Sequence, residues 1–255
     1  MAHQESRLIN TRTSRLPLKR VLLAALVILS GTLALLYFGA LVPDSASYWF
    51  PYRVSANNFL DTKFKYQIGT FILAWIILGI IALLFPNNAK RFYRAGKLNA
   101  SAEPVKWLGI NSTDTWKTIG RNFTVIVSLT TGLFIYLNIA KGSILSVDFT
   151  GFLPFMLVLA AMNAFTEEAI TRLSVVTAFD GILQRQKIYI LSAVIFGIPH
   201  FFGVPGGIFG SLMAGFLGWL LAKSIAETEG VFWAWFIHFL QDVIIFSGLF
   251  IAISN

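Results

Sequence analysis

The strongest constraint on the fold is a series of seven long apolar runs: Val21 to Val42, Ile68 to Phe85, Phe123 to Ala140, Gly151 to Ala178, Ile188 to Phe202, Ile208 to Ala222 and Val231 to Ile253. A segment surrounded by hydrocarbon must satisfy its backbone hydrogen bonds internally, so runs of this kind fold as helices. The chain of 255 residues is 56% apolar and 13% charged, which excludes an ordinary soluble domain. The expected fold class is all-α: a polytopic transmembrane helical bundle of about seven spans, with room for an eighth short helix.

The basic residues orient this bundle. Arg7, Arg12, Arg15, Lys19 and Arg20 precede or open the first run. Lys90, Arg91, Arg94, Lys97, Lys106, Lys117 and Arg121 crowd the connection from 87 to 121, and Arg185 and Lys187 the connection before the fifth run. Positive charge marks cytoplasmic connections, so the N-terminus is expected in the cytoplasm. The net charge of +8 is then a property of segments that face anionic lipid, and nucleic acid is not expected as a partner. The first run is too long for a signal-peptide core and lacks a small-residue cleavage site, so it is expected to be a retained span. With no organelle-targeting element, the expected location is a bacterial plasma membrane, as a multi-pass protein. The chain has no cysteine, which excludes disulfides, a thiolate nucleophile and cysteine-ligated zinc.

Two local signals add detail. Ser112-Thr113-Asp114 ahead of Trp116 reads as a capped helix start. In the sixth run, the lines Gly207, Ser211, Gly215 and Gly210, Ala214, Gly218 let backbones approach closely, which predicts a centrally packed helix. The organisation expected is a basic tail, two spans and the start of a cytoplasmic connection over 1–105, followed by a membrane core over 106–255 that carries the chemistry.

That chemistry centres on Glu167-Glu168-Ala169-Ile170-Thr171-Arg172, inside the fourth run. Ionisable groups within a membrane segment are costly, so they mark a functional site by default. On a helix Glu168 and Arg172 stand one turn apart and neutralise each other. Glu167 points elsewhere, on the line Asn163, Glu167, Thr171, and has no cation on its own helix. A purely structural ion pair accounts for Glu168 and Arg172 but leaves Glu167 unexplained. Two of the three histidines, His200 and His238, lie in other apolar runs, and Asp242 sits one turn beyond His238. Counting residues from the helix ends places Glu167, His200 and His238 between the midplane and the cytoplasmic face, roughly 24 Å from the outer end and roughly 18 and 12 Å from the inner ends, respectively. One polar cavity near the cytoplasmic side is therefore expected.

Glu-Glu-x-x-x-Arg, then Phe-x-x-x-His, then His-x-x-x-Asp, in this order on successive spans, resembles the CPBP family of CAAX-prenyl endopeptidases and Abi or bacteriocin-processing-type intramembrane proteases. The similarity runs from about Trp107 to Gly248. It implies hydrolysis of a peptide bond in a membrane-associated protein or peptide, by a glutamic mechanism without metal or other cofactor. Glu167 would activate water with help from His200, His238 and Asp242 would serve the oxyanion, and Arg172 would hold Glu168 or reach the substrate's carboxylate. The family commonly carries asparagine at the last motif position. Asp242 donates a hydrogen bond only if protonated, and otherwise accepts from His238 and fixes its tautomer.

Three other readings use the same residues. Histidine and carboxylate side chains suit a zinc-dependent membrane protease, although the His-Glu-x-x-His helix motif is absent. Buried Glu, His and Asp also suit a proton-coupled transporter, although no internal repeat or pair of broken helices is evident. A non-catalytic immunity or scaffold protein retaining the protease fold is the third.

Overall fold

The computed structural model describes residues 18–41, 52–53, 55, 57–139, 149–203 and 205–253. The tail carrying Arg7, Arg12 and Arg15 and the connection carrying Lys141 lie outside the described residues. In chain order the helices are α1 (Leu18–Leu36), extended by a π turn at Tyr37–Leu41, α2 (Asn58–Leu84), α3 (Pro86–Phe92) and α4 (Trp116–Asn138). Then come α5 (Phe149–Glu168), a π turn (Ala169–Leu173), α6 (Ser174–Phe179), α7 (Arg185–Gly197) with a 3-10 turn (Ile198–Phe202), α8 (Gly207–Thr228) and α9 (Phe232–Ile253).

Six of these stretches are long and apolar enough to cross a membrane: α1, α2, α4, the joined α5–α6, α8 and α9. The expected seventh span is the shorter α7. Its 13 helical residues and five-residue 3-10 turn reach roughly 30 Å together. The all-helical polytopic bundle is thus the observed architecture.

Local chemistry sets the helix ends. Asn57 caps α2, its side chain accepting from the Leu60 amide at 3.2 Å. Pro86, which has no amide to donate, ends α2 and opens α3. The start of α4 differs from expectation, because the cap residue is Thr115 and it makes no side-chain bond. Asp114 is used one turn earlier, accepting from the Asn111 amide at 2.7 Å to close the preceding turn.

Lipid removes most of the hydrophobic incentive for helices to associate, so close fit carries the packing. The small-residue lines of α8 meet α7. A Cβ on Gly218 would lie 3.1 Å from both the Ala193 Cα and the Ser192 carbonyl, and one on Gly197 would lie 2.8 Å from the Ser211 carbonyl. The central apolar cluster combines Ile28 of α1, Ile77 and Ile81 of α2, Ile170 and Val176 beside the π turn, Ile225 of α8 and Ile237 of α9.

The face that carries the basic connections is tightly stitched. Glu229 ends α8 in the left-handed region at φ 55° and accepts from Arg91 (2.8 Å), Arg94 (2.7 Å) and Lys97 (2.9 Å). The hydrogen bond from Lys97, supported by Arg91, holds its carboxyl at a pKa of about 2. Arg91 also binds Asp180 at 2.8 Å, joining the α6–α7 connection to the same cluster. Gly96, at φ +94°, lies so close to the α8–α9 link that an added Cβ would be 2.8 Å from the Gly230 Cα. Trp116, fully buried, donates to Glu227 at 2.8 Å, and Glu227 pairs with buried Lys223.

Candidate active site

The site is built where α5 changes helical pitch. The π turn at Ala169–Leu173 follows directly on the two glutamates, and such turns frequently occur at functional sites. Side chains hold it in place. The Ser174 hydroxyl donates to the Ala169 carbonyl and the Ser192 hydroxyl of α7 to the Thr171 carbonyl, both at 2.7 Å. The α9 side of the site is fixed by Trp235, whose indole N–H donates to the Ala161 carbonyl at 3.2 Å.

The two glutamates have different surroundings. Glu168 is fully buried and its Oε1 accepts from Arg172 Nη1 at 2.5 Å, the pair read from the sequence. Arg172 is equally buried, with its guanidinium carbon 3.7 Å from the centre of the Phe196 ring. It lines neither cavity at the site, so a reach to a substrate carboxylate is not part of this arrangement. Glu167 keeps 21% of its side chain exposed and faces open space.

His238 connects these groups. Its Nδ1–H donates to Glu168 Oε1 at 2.7 Å, while Nε2 lies 3.5 Å from Glu167 Oε2 and 3.6 Å from Asp242 Oδ2. Both ring nitrogens therefore face carboxylate oxygens, an arrangement that the doubly protonated ring satisfies on each side. Glu168, and not Asp242, is the group that fixes the Nδ1 end of this ring. His200 sits on the 3-10 turn after α7, where Pro199 cannot supply an amide for a continuing α-helix. Its Nδ1 donates to the Phe196 carbonyl at 2.8 Å, because a carbonyl only accepts, which leaves Nε2 to the cavity.

Two amide side chains complete the cluster. Asn163 Nδ2 donates to Glu167 Oε1 at 3.1 Å and to Asp242 Oδ2 at 3.0 Å, bridging two carboxylates that would otherwise repel. Gln67 of α2 donates to Asn163 Oδ1 at 2.7 Å, which fixes the orientation of the Asn163 amide. Sequence reading put Asn163 on the Glu167 line without a role, and placed Gln67 one residue outside the second apolar run. The available signal was an amide within an apolar run, one turn before Glu167. Among the described residues, no group of three or more His, Asp or Glu side chains is arranged to hold a metal ion.

Two cavities meet at the cluster. One of about 420 Å³ lies between α1, α2, α7 and α9, and one of about 230 Å³ between α4, α8 and α9. Asn163, Glu167, His200 and Asp242 line both, and His238 lines the second. The sites read from the sequence thus converge at mid-depth. The expectation of one polar cavity near the cytoplasmic side is corrected: there are two, and the larger is lined by Thr32 and Leu36 late in α1, Thr62 and Tyr66 early in α2, and Phe246 and Leu249 late in α9. These are the helix ends opposite the basic connections. Depth counted along single helices could not reveal on which side the neighbouring helices close.

No curated protein and no solved structure matches the chain. Residues 149–244 match the family model described as type II CAAX prenyl endopeptidase Rce1-like. This segment holds all three motifs, and over it the chain is similar to that family of membrane proteases.

Proposed function

We propose that the chain is an intramembrane endopeptidase that hydrolyses a peptide bond in a membrane-associated protein or peptide, with Glu167 as the base that activates water. The observation that carries this reading is the division of labour between adjacent glutamates. Glu168 is sealed against Arg172, whereas Glu167 faces both cavities together with His200.

In the proposed reaction Glu167 takes a proton from water, and the hydroxide formed adds to the scissile carbonyl. The unengaged Nε2 of His200 accepts a hydrogen bond from that water and orients it. The Nε2–H of His238 turns from its long contacts with Glu167 and Asp242 towards the developing oxyanion, in a site where little water competes. The proton held by Glu167 then passes to the departing amine as the C–N bond breaks. Asp242 remains an acceptor bridged to Glu167 by Asn163, and Arg172 keeps Glu168 and the His238 ring in register.

The test compares protein termini in cells carrying the native chain with those in cells carrying Glu167→Ala at matched abundance. New termini that disappear in Glu167→Ala and in His200→Ala support the reading. Identical termini in all three strains overturn it in favour of a transporter or a scaffold. Cleavage that a chelator stops and zinc restores overturns the metal-free mechanism.

A further inference from the structure

We propose that the site is served from the membrane face opposite the basic connections, so that its substrates present an extended segment on the extracytoplasmic side; this rests on the proteolytic reading above. The inference concerns the substrate class: exported, membrane-associated polypeptides, and not proteins whose tails lie in the cytoplasm.

Three independent features of the fold agree. First, both cavities open away from the basic face. The larger is bounded at its mouth by Leu36, Thr62, Gly203 and Leu249, and the smaller reaches Pro205 and Gly210 at the start of α8. No residue of the connections 86–115, 180–184 or 229–231 lines either one.

Second, the path from Glu167 to the basic face is filled. The larger cavity reaches down to Thr171, beyond which Arg172, Ser174, Val176 and Thr177 are buried, and below them Arg91 joins Asp180 to Glu229. A peptide arriving from that side would have to displace about 12 Å of packed helix. From the opposite side Asp242 lies 11 residues below the end of α9, roughly 17 Å, which about five residues of extended chain can cover.

Third, the charge distribution fixes which face is which. Lys90, Arg91, Arg94, Lys97, Lys106, Lys117, Arg185 and Lys187 all belong to the closed face. Among the described residues, Arg53, Lys63 and Lys65 are the only basic side chains towards the open one. Positive charge is retained in the cytoplasm, so the open face is extracytoplasmic.

The absence of cysteine makes the test direct, because each introduced cysteine is the only thiol. Thr62→Cys and Leu249→Cys report the cavity mouth, two independent positions in case one variant fails to fold, and Lys97→Cys reports the basic face. Spheroplasts are treated with a membrane-impermeant maleimide, and labelling is normalised to the denatured protein. The expected result is labelling of both mouth cysteines in sealed spheroplasts, with loss of Lys97→Cys labelling until the membrane is permeabilised.

Mouth cysteines reached only after permeabilisation, or protected under both conditions, overturn the proposal. Accessibility from outside without Glu167-dependent termini leaves the sidedness standing and removes the proteolytic reading. Glu167-dependent termini confined to cytoplasmic segments remove the sidedness and leave proteolysis standing.

Discussion

Replacing Arg172 by methionine separates the two glutamates by their effect on folding. In the native protein Glu168 and Arg172 are both fully buried and joined at 2.5 Å. Removing one partner of a buried pair typically costs about 3–5 kcal/mol, because the other charge is left unpaired. Here Glu168 retains His238 at 2.7 Å, which places the loss near the lower end, about 3 kcal/mol. Arg172 Nε and Nη2 and Glu168 Oε2 have no hydrogen-bond partner, so the native pair already carries an uncompensated desolvation cost. The double variant Glu168→Gln with Arg172→Met should therefore recover at least half of the loss. Glu167→Gln leaves the buried pair intact and retains an acceptor for Asn163, so its cost should stay below about 1 kcal/mol while proteolysis is lost. For a chain of this size, 3 kcal/mol corresponds to a fall in Tm of roughly 6–12 °C. Thermal unfolding in a mild detergent, followed by tryptophan fluorescence, reads all three variants. Equal falls for Arg172→Met and Glu167→Gln, or a double variant less stable than Arg172→Met, would refute this account of the pair.

Two further predictions address other parts of the structure. Asn163→Leu removes two charge-assisted hydrogen bonds and sets Glu167 directly against Asp242, so kcat/KM should fall by about 100-fold or more, whereas Gln67→Leu removes one neutral bond and should cost about fivefold; cleavage rates at matched folded protein decide, and a Gln67→Leu loss as large as that of Asn163→Leu refutes the relay. The Glu229 carboxyl is held at a pKa of about 2 from an ordinary value of 4.5, so its stabilisation is fully present above about pH 4.5 and is lost as pH falls towards 2; unfolding followed across that window should show a shallower acid dependence in Glu229→Gln, and an unchanged acid limb contradicts the cluster's role.

Sequence by itself determined the fold class and singled out most of the polar groups that the fold brings together. Apolar runs of this length have one stable solution in a bilayer, and their order with the basic connections fixes a topology. Glu168 and Arg172 were legible as a pair because an i, i+4 spacing is a local property of one helix. The pair persists even though the backbone widens to a π turn at Ala169, a change that the side-chain pattern does not announce. The roles of Asn163 and Gln67 were not legible, because their partners stand on other helices: Gln67 and Asn163 are 96 positions apart in the chain, and Asn163 and Asp242 are 79 apart. The direction in which the site opens belongs to the same class. Each helix carries its polar groups at a definite depth, but whether space remains above or below them depends on how α1, α2, α7, α8 and α9 lean on one another. That leaning is set by close contacts such as Gly218 against Ala193 and by the ion cluster around Glu229, which shuts the basic face. Sequence periodicity describes single helices, whereas an opening is a property of their packing, and so the tertiary structure alone decided it.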